Sequence, residues 1–384
     1  MTEGFVETNG IRLWYDDRGP RDGTPIVLIM GVAASALWWP DELVDALVAA
    51  GHRVVNIDNR DTGLSSWPGG PYGLDELTDD LIGLLDGLGI GRAHLAGMSM
   101  GGMMAQLAAA RHPDRVASLT LIGTTPGQSD SLSPSDESAF DGLAKPDGTP
   151  EGQLEFEMGL GRALAGSRYP IDESAYRRLL EADAARGVNP DTGHYSVSMA
   201  SRIDETRTIR VPTLIVHGSE DPIFPFDHAE ALAAAIPGAT LVRWEGAGHD
   251  LPTPLLPELA QLIGDHVTKA SWRTPMPTLS VPDLRAALTG RVLGPGDDGY
   301  EQARLVFYRH YDHHPAVIAQ AADASDVACV IETATRTGLA LTVKAGGHSV
   351  AGHGAADDAI MLDLSAMKGL EIDAEGRTAW RRPG

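Results

Sequence analysis

Over the first 125 or so positions, short β-rich apolar runs alternate with longer segments in which apolar residues recur every three or four places. The runs Phe5–Thr8, Ile11–Asp16, Ile26–Met30, Arg53–Asp58, His94–Gly97 and Ala117–Ile122 predict strands, and Glu42–Ala50, Leu74–Leu88 and Met100–Arg111 predict helices between them. Alternation of this kind belongs to a mostly parallel sheet with helices on both faces. From about 125 to 207 the strand pattern stops, and stretches rich in Gly, Ser, Pro and Asp surround helical patterns at Leu154–Leu164 and Glu173–Ala184, which predicts a helical cap. Strand runs return at Thr213–His217 and Thr240–Trp244, bringing the expected sheet to eight strands, and a closing helix is predicted over Pro257–Thr268.

A chain of 384 residues is longer than one hydrophobic core usually serves. The pattern divides it into an α/β domain over 1–269 with its cap at about 125–207, a linker over 270–281 marked by Pro275 and Pro277, and a smaller segment over 282–384. A hydrophobic fraction of 43% and a charged fraction of 22% are those of a folded globular protein. The formal net charge of -23 repels phosphate backbones and anionic headgroups, which excludes nucleic acid and membrane surfaces as partners and leaves small molecules. With Cys329 as the only cysteine no intrachain disulfide forms. The N-terminus lacks the basic and apolar stretches of a signal peptide, and the apolar runs are strand-sized, so a cytoplasmic protein without a membrane segment is expected.

The chemistry concentrates where strands end. Gly97-Met98-Ser99-Met100-Gly101 follows an apolar strand and opens a helix, the context of a nucleophile elbow, in which a strained turn presents a serine and the flanking glycines avoid collisions with neighbouring backbone. A serine hydroxyl needs a base, and the base needs an acid to hold its tautomer. Asp221 lies in the loop after the Thr213–Gly218 run, with Glu220 and Asp250 as alternative acids, and His249 lies in the Gly-rich loop Glu245–Asp250 after the last strand. The order serine, acid, histidine suits this arrangement. His52, His94, His112 and His217 sit in or beside strands and turns and are expected to be structural or solvated. The oxyanion of a tetrahedral intermediate needs two backbone donors, assigned to the amides of Met100 and Val32. Trp38, Trp39, Trp67 and the methionines Met98, Met100, Met103 and Met104 suit either an apolar substrate pocket or core packing.

Ser99, Asp221, His249 and the run Asp58-Asn59-Arg60-Asp61-Thr62-Gly63-Leu64-Ser65 together resemble the α/β-hydrolase superfamily. Met30-Gly31, Trp39-Pro40-Asp41-Glu42, Arg60-Asp61-Thr62-Gly63 and Gly97–Gly101 are similar to the aclacinomycin methylesterase group, with Val32 standing where that pattern has glycine. The resemblance covers residues 1–269 and implies a serine carboxylic ester hydrolase, working without a cofactor on a bulky apolar methyl ester of the polyketide type. Epoxide hydrolases and haloalkane dehalogenases share the fold but place an aspartate at the elbow, which Ser99 argues against. Lactonases and cofactor-free haloperoxidases share the serine, acid and histidine and remain as alternatives.

In the C-terminal segment, Lys344-Ala345-Gly346-Gly347-His348-Ser349-Val350-Ala351-Gly352 is a Gly-rich loop after a strand, whose amides could approach a pyrophosphate. Together with Asp326-Val327 opening a helix, Ala340–Lys344 and Met361–Met367, it resembles the opening of berberine-bridge-type flavin oxidases. That resemblance implies FAD, with His348 as the covalent attachment point and Gly346, Gly347 and Ser349 beside it. The family's second attachment residue, a downstream cysteine, has no counterpart, since Cys329 lies upstream. The resemblance spans only about the last hundred residues, so weak or no flavin binding and a partly ordered segment are expected, and a flavin-dependent oxidoreductase with a hydrolase-like scaffold is the runner-up function.

Overall fold

The computed structural model describes residues 2–143, 147–273, 279–306, 312–337, 339–345, 354–367, 370–373 and 378–381, and its chain divides into units over Met1–Thr274 and Pro275–Gly384. The first unit holds eight strands: β1 (Thr2–Thr8), β2 (Ile11–Arg18), β3 (Pro25–Ile29), β4 (Arg53–Ile57), β5 (Ala93–Met98), β6 (Val116–Ile122), β7 (Thr213–Gly218) and β8 (Thr240–Trp244). They lie in the order β1-β2-β4-β3-β5-β6-β7-β8, with β1 and β2 antiparallel at one edge and all other pairings after β2–β4 parallel.

Alternation along each strand builds both faces. Val27, Ile29, Leu95, Leu119 and Ile215 pack with helices α2 (Leu74–Gly87) and α3 (Met100–Arg111), whereas Ile26, Leu28, Ala96, Ile122 and Val216 pack with α1 (Asp41–Ala49) and α8 (Leu256–Arg273). The last helix thus runs beyond the predicted Pro257–Thr268. Helix α3 has no polar stripe: every residue from Met100 to Ala109 is buried, as befits a helix enclosed on all sides.

The segment between β6 and β7 carries α4 (Pro150–Leu164), α5 (Glu173–Arg186) and the one-turn α6 (Ile203–Thr206), and contains no strand among the described residues. Thr149 and Asp172 cap α4 and α5 through their side chains. Buried polar contacts fasten this cap to the sheet domain. The Arg186 guanidinium donates to Asp58 at 2.8 Å and lies 3.8 Å over the Trp14 ring. Asp183 accepts from the Ser35 hydroxyl and, at 2.9 Å, from the Trp38 indole. Asp58 also accepts the amides of Ala36 and Leu64, both at 2.8 Å, so one carboxylate ties together its own loop, the loop after β3 and the cap.

In the second unit, β9 (Arg291–Leu293), β10 (Val317–Gln320), β11 (Leu341–Lys344) and β12 (Ile360–Asp363) form a sheet in the order β11-β12-β10-β9, parallel except for β9. Strands β13 (Leu370–Asp373) and β14 (Thr378–Arg381) pair separately. Helix α9 (Val281–Ala287) precedes these strands, the short α10 (Tyr300–Ala303) and α11 (Ala324–Thr337) lie between them, and α7 (Asp227–Ala235) completes the helices of the first unit. The described residues of this unit enclose a core of their own, including Leu284, Val317, Val330, Ile360 and Leu362. Asp326 gathers the amides of Thr289, Gly290 and Ala322 at 2.8–2.9 Å.

The elbow requires its glycines by close approach. A Cβ on Gly97 would lie 2.3 Å from the Gly101 carbonyl oxygen, and one on Gly101 would lie 2.1 Å from the Ile29 carbonyl oxygen, with backbone as the obstacle in both cases. Gly101→Ala is therefore expected to destabilise the first unit by about 2–3 kcal/mol or more. Urea denaturation measures it, and a midpoint equal to that of the wild type would refute this account of the packing.

Candidate active site

Three strand ends supply the candidate catalytic groups. Ser99 follows β5 and begins α3 with φ 54° and ψ -121°, a left-handed backbone that only surrounding structure sustains. Its amide donates to the Ile122 carbonyl at 3.0 Å and its carbonyl accepts the Thr124 hydroxyl at 2.7 Å. Asp221 lies in the loop after β7, where its Oδ1 accepts the amides of Ile223 and Phe224 at 2.9 and 2.8 Å. His249 lies in the loop after β8, with its amide donating 2.7 Å to the Leu164 carbonyl at the end of α4.

The three side chains meet. His249 Nδ1 is 2.7 Å from Asp221 Oδ2, and His249 Nε2 is 3.1 Å from Ser99 Oγ. An ionised Asp221 keeps the proton on Nδ1, so Nε2 can accept the serine proton. Burial alone would lower the His249 pKa, but the adjacent Asp221 carboxylate outweighs it and the net shift is upward. Burial alone would likewise raise Asp221, yet the His249 and His217 rings hold it below the usual carboxylate range. The alternative acids stand elsewhere: exposed Glu220 caps Ser167 through that residue's amide and hydroxyl, and Asp250 makes no hydrogen bond to the His249 ring. Burial pushes the Asp250 carboxyl up to about 7.

The remaining histidines of the sequence analysis do not contact Ser99, with one of them touching Asp221. His94 is buried against Ser118 at 2.7 Å, and burial lowers its pKa to about 3. His52 is buried at the end of α1, and His112 follows α3. His217 is fully buried, donates to the Phe224 carbonyl at 2.7 Å and approaches Asp221 Oδ2, the oxygen that also meets the His249 ring, to 3.3 Å. Of the proposed oxyanion donors, Met100 opens α3, where first-turn amides have no intrahelical acceptor. The Met30–Val32 turn backs onto Ser99, since a Cβ on Gly31 would lie 2.9 Å from Ser99 Cβ and 3.4 Å from its Oγ.

Above the three groups lies a cavity of about 1670 Å³ roofed by α4 and α5. Trp38, Met98, Met100 and Met103 line it, while Trp39 and Met104 belong to the core and Trp67 is 45% exposed away from it. Its charged lining is Glu42, Glu157, Asp172, Glu181, Asp183 and Asp250, with no Lys or Arg among the described residues. Sequence reasoning missed Asp58, Asp183 and His194 as organisers of this region. Asp58 stood in a recognisable run without a role, and the two cap residues carried no local signal.

Residues 24–252 match the family described as alpha/beta hydrolase fold. The chain belongs to that family. Rhodomycin D methylesterase of Streptomyces peucetius is 34% identical over 299 aligned residues, which cover 71% of this chain and 100% of the methylesterase. A non-heme chloroperoxidase of Streptomyces lividans is 28% identical over 68% of this chain and 99% of its own. Among solved structures, the meta-cleavage product hydrolase of Pseudomonas fluorescens IP01 superposes with a TM-score of 0.58 at 26% identity, covering 70% of this chain and 98% of that one. Residues 315–384 match a second family, described as FAD binding domain. No helix among the described residues is long and apolar enough to cross a membrane.

The loop Gly346-Gly347-His348-Ser349 lies outside the described residues. At the carboxyl ends of the parallel strands next to it, Gln320, Asp363 and Lys344 stand in register. The Lys344 ammonium is engaged by the Ala303 carbonyl at 2.6 Å, and Asp363 is a buried carboxylate. These groups offer a pyrophosphate a buried carboxylate beside an ammonium already engaged by a carbonyl, so they do not by themselves make a flavin cradle.

Because the Asp221 carboxylate favours the charged imidazole, the base form of His249 predominates only above a pH higher than that of an ordinary histidine. An NMR titration of the ring is expected to place its midpoint above the free-histidine value and to fall on Asp221→Asn. A midpoint unmoved by that substitution would contradict the pairing.

Proposed function

We propose that this ester-cleaving hydrolase works through Ser99, His249 and Asp221 by way of an acyl-enzyme, and that its substrate is a bulky, largely apolar methyl ester. The reading rests on the hydrogen-bonded chain from Asp221 through His249 to Ser99, opening into a cavity large enough for a polycyclic substrate. The full-length match to a rhodomycin D methylesterase supports the ester and its methyl group.

Ser99 Oγ attacks the ester carbonyl while His249 Nε2 takes its proton, and Asp221 stabilises the imidazolium that forms. The amides of Met100 and Val32 receive the oxyanion. The imidazolium then protonates the departing alkoxide as the acyl-enzyme forms. Water, deprotonated by the same imidazole, releases the acid and restores the serine. Carboxylates around the cavity repel the anionic product, which favours its departure. Lactonase and cofactor-free haloperoxidase activities would use the same three groups, and the chloroperoxidase relative keeps them in the comparison.

Hydrolysis of p-nitrophenyl acetate and butyrate by the full-length protein tests the reading. Ser99→Ala is expected to lower kcat by about 10,000-fold or more. Retained activity would exclude Ser99 as nucleophile, and a flavin absorption band in the denatured protein would favour the oxidoreductase reading. Asp250→Asn is expected to keep the plateau rate within about threefold while moving the acid limb of kcat/KM to lower pH, since the Asp250 charge raises His249. A collapse of the plateau would make Asp250 the acid instead of Asp221. The charged lining gives a further expectation: an aryl ester bearing a distal sulfonate should have kcat/KM at least about tenfold below its neutral counterpart, and equal values would show that these carboxylates do not face the bound substrate.

A further inference from the structure

The turn carrying the proposed oxyanion donor Val32 continues into Ala33, a non-glycine residue with φ 57°. A left-handed alanine is costly unless its surroundings hold it. The holding contact comes from the cap: the Ala33 amide donates to His194 Nδ1 at 3.0 Å, across 161 positions of sequence. We infer that His194 is a positioning residue for the reaction, fixing the peptide unit that follows Val32 so that the Val32 amide stays aimed at the oxyanion position. The inference rests on the esterase reading above.

His194 is itself held on several sides. It is 2% exposed and lies in the short turn Gly193–Ser196. The preceding amide, that of Gly193, donates to Asp61 at 3.1 Å, and the same carboxylate oxygen accepts the Tyr72 hydroxyl at 2.8 Å. The Tyr72 ring meets the imidazole edge-on at 6.0 Å. Burial lowers the ring's pKa to about 4, so near neutrality the imidazole is uncharged and free to accept at Nδ1. The turn, the imidazole and the alanine thus form a rigid prop between the cap and the loop beside Ser99. Such a prop acts on the transition state more than on substrate binding, because the oxyanion exists only after attack.

The experiment compares the full-length wild type with His194→Leu, His194→Asn, Ala33→Gly and the double variant His194→Leu/Ala33→Gly on p-nitrophenyl butyrate. It also measures inhibition by phenylboronic acid, which forms a tetrahedral adduct with serine. His194→Leu removes the acceptor, and is expected to lower kcat about 10- to 100-fold, short of the about 100- to 1,000-fold loss from deleting an oxyanion donor outright. KM should stay within about twofold and boronate affinity should fall in parallel with kcat. Asn keeps an acceptor near the Nδ1 position and should restore most of the rate. Glycine at position 33 tolerates positive φ without help, so the double variant should recover part of what His194→Leu loses.

A kcat unchanged by His194→Leu, or a loss that neither Asn nor Ala33→Gly repairs, overturns the inference while leaving the esterase reading intact. An inactive wild type overturns both. Hydrogen exchange at the wild-type Ala33 amide gives a reading that depends on no variant: strong protection is expected, and exchange at the rate of a free peptide overturns the inference.

Discussion

The left-handed turn at Ser99 is the constraint around which the hydrolase unit is organised. A residue with φ 54° costs about 1–3 kcal/mol and is retained only where packing leaves no alternative. Here the packing is backbone on backbone. Helix α3 approaches β5 and β3 so closely that a single Cβ at Gly97 or Gly101 would collide with carbonyl oxygens, and the helix is buried along nearly its whole length. Strand β6 supplies the Ile122 acceptor for the serine amide, and β7 and β8 beyond it deliver Asp221 and His249 to the same edge. Sheet order and strand-end loops therefore translate one local strain into a preformed chain of three side chains.

Much of this architecture was legible in the sequence because periodicity reports burial directly. The eight strand runs, the helices between them and the interruption from about 125 to 207 all reflect which residues face a core. The elbow was legible for a different reason: its glycines and serine are demanded by local backbone geometry. The acid was only partly legible. Asp221, Glu220 and Asp250 are close together in chain position or in loop type, and only three-dimensional placement separates Asp221, touching the ring at 2.7 Å, from Glu220, spent on Ser167.

What stayed hidden depends on contacts between distant parts of the chain. Asp58 meets Arg186 across 128 positions, Ser35 meets Asp183 across 148 and Ala33 meets His194 across 161. No local pattern encodes a partner that far away. The aromatic and methionine positions show the same limit, since Trp38 faces the cavity and its neighbour Trp39 the core, a choice made by the direction of each side chain. In the second unit only the helix opened by Asp326-Val327 and the strand before the Gly-rich loop were read from the sequence, whereas its core was not, because that core draws on α9 and β9 as well as on the later elements.

The amide of His249 is hydrogen-bonded to the last turn of α4, and Gly166 just beyond packs so tightly on the same loop that its Cβ would touch the Gly246 carbonyl. Roof and His249 loop are thus stitched together at one seam. Anyone wishing to retune what this enzyme accepts should leave residues 161–168 and 245–250 alone and vary the inward faces of α4 and α5 upstream of that seam, where pocket shape can change without shifting the imidazole.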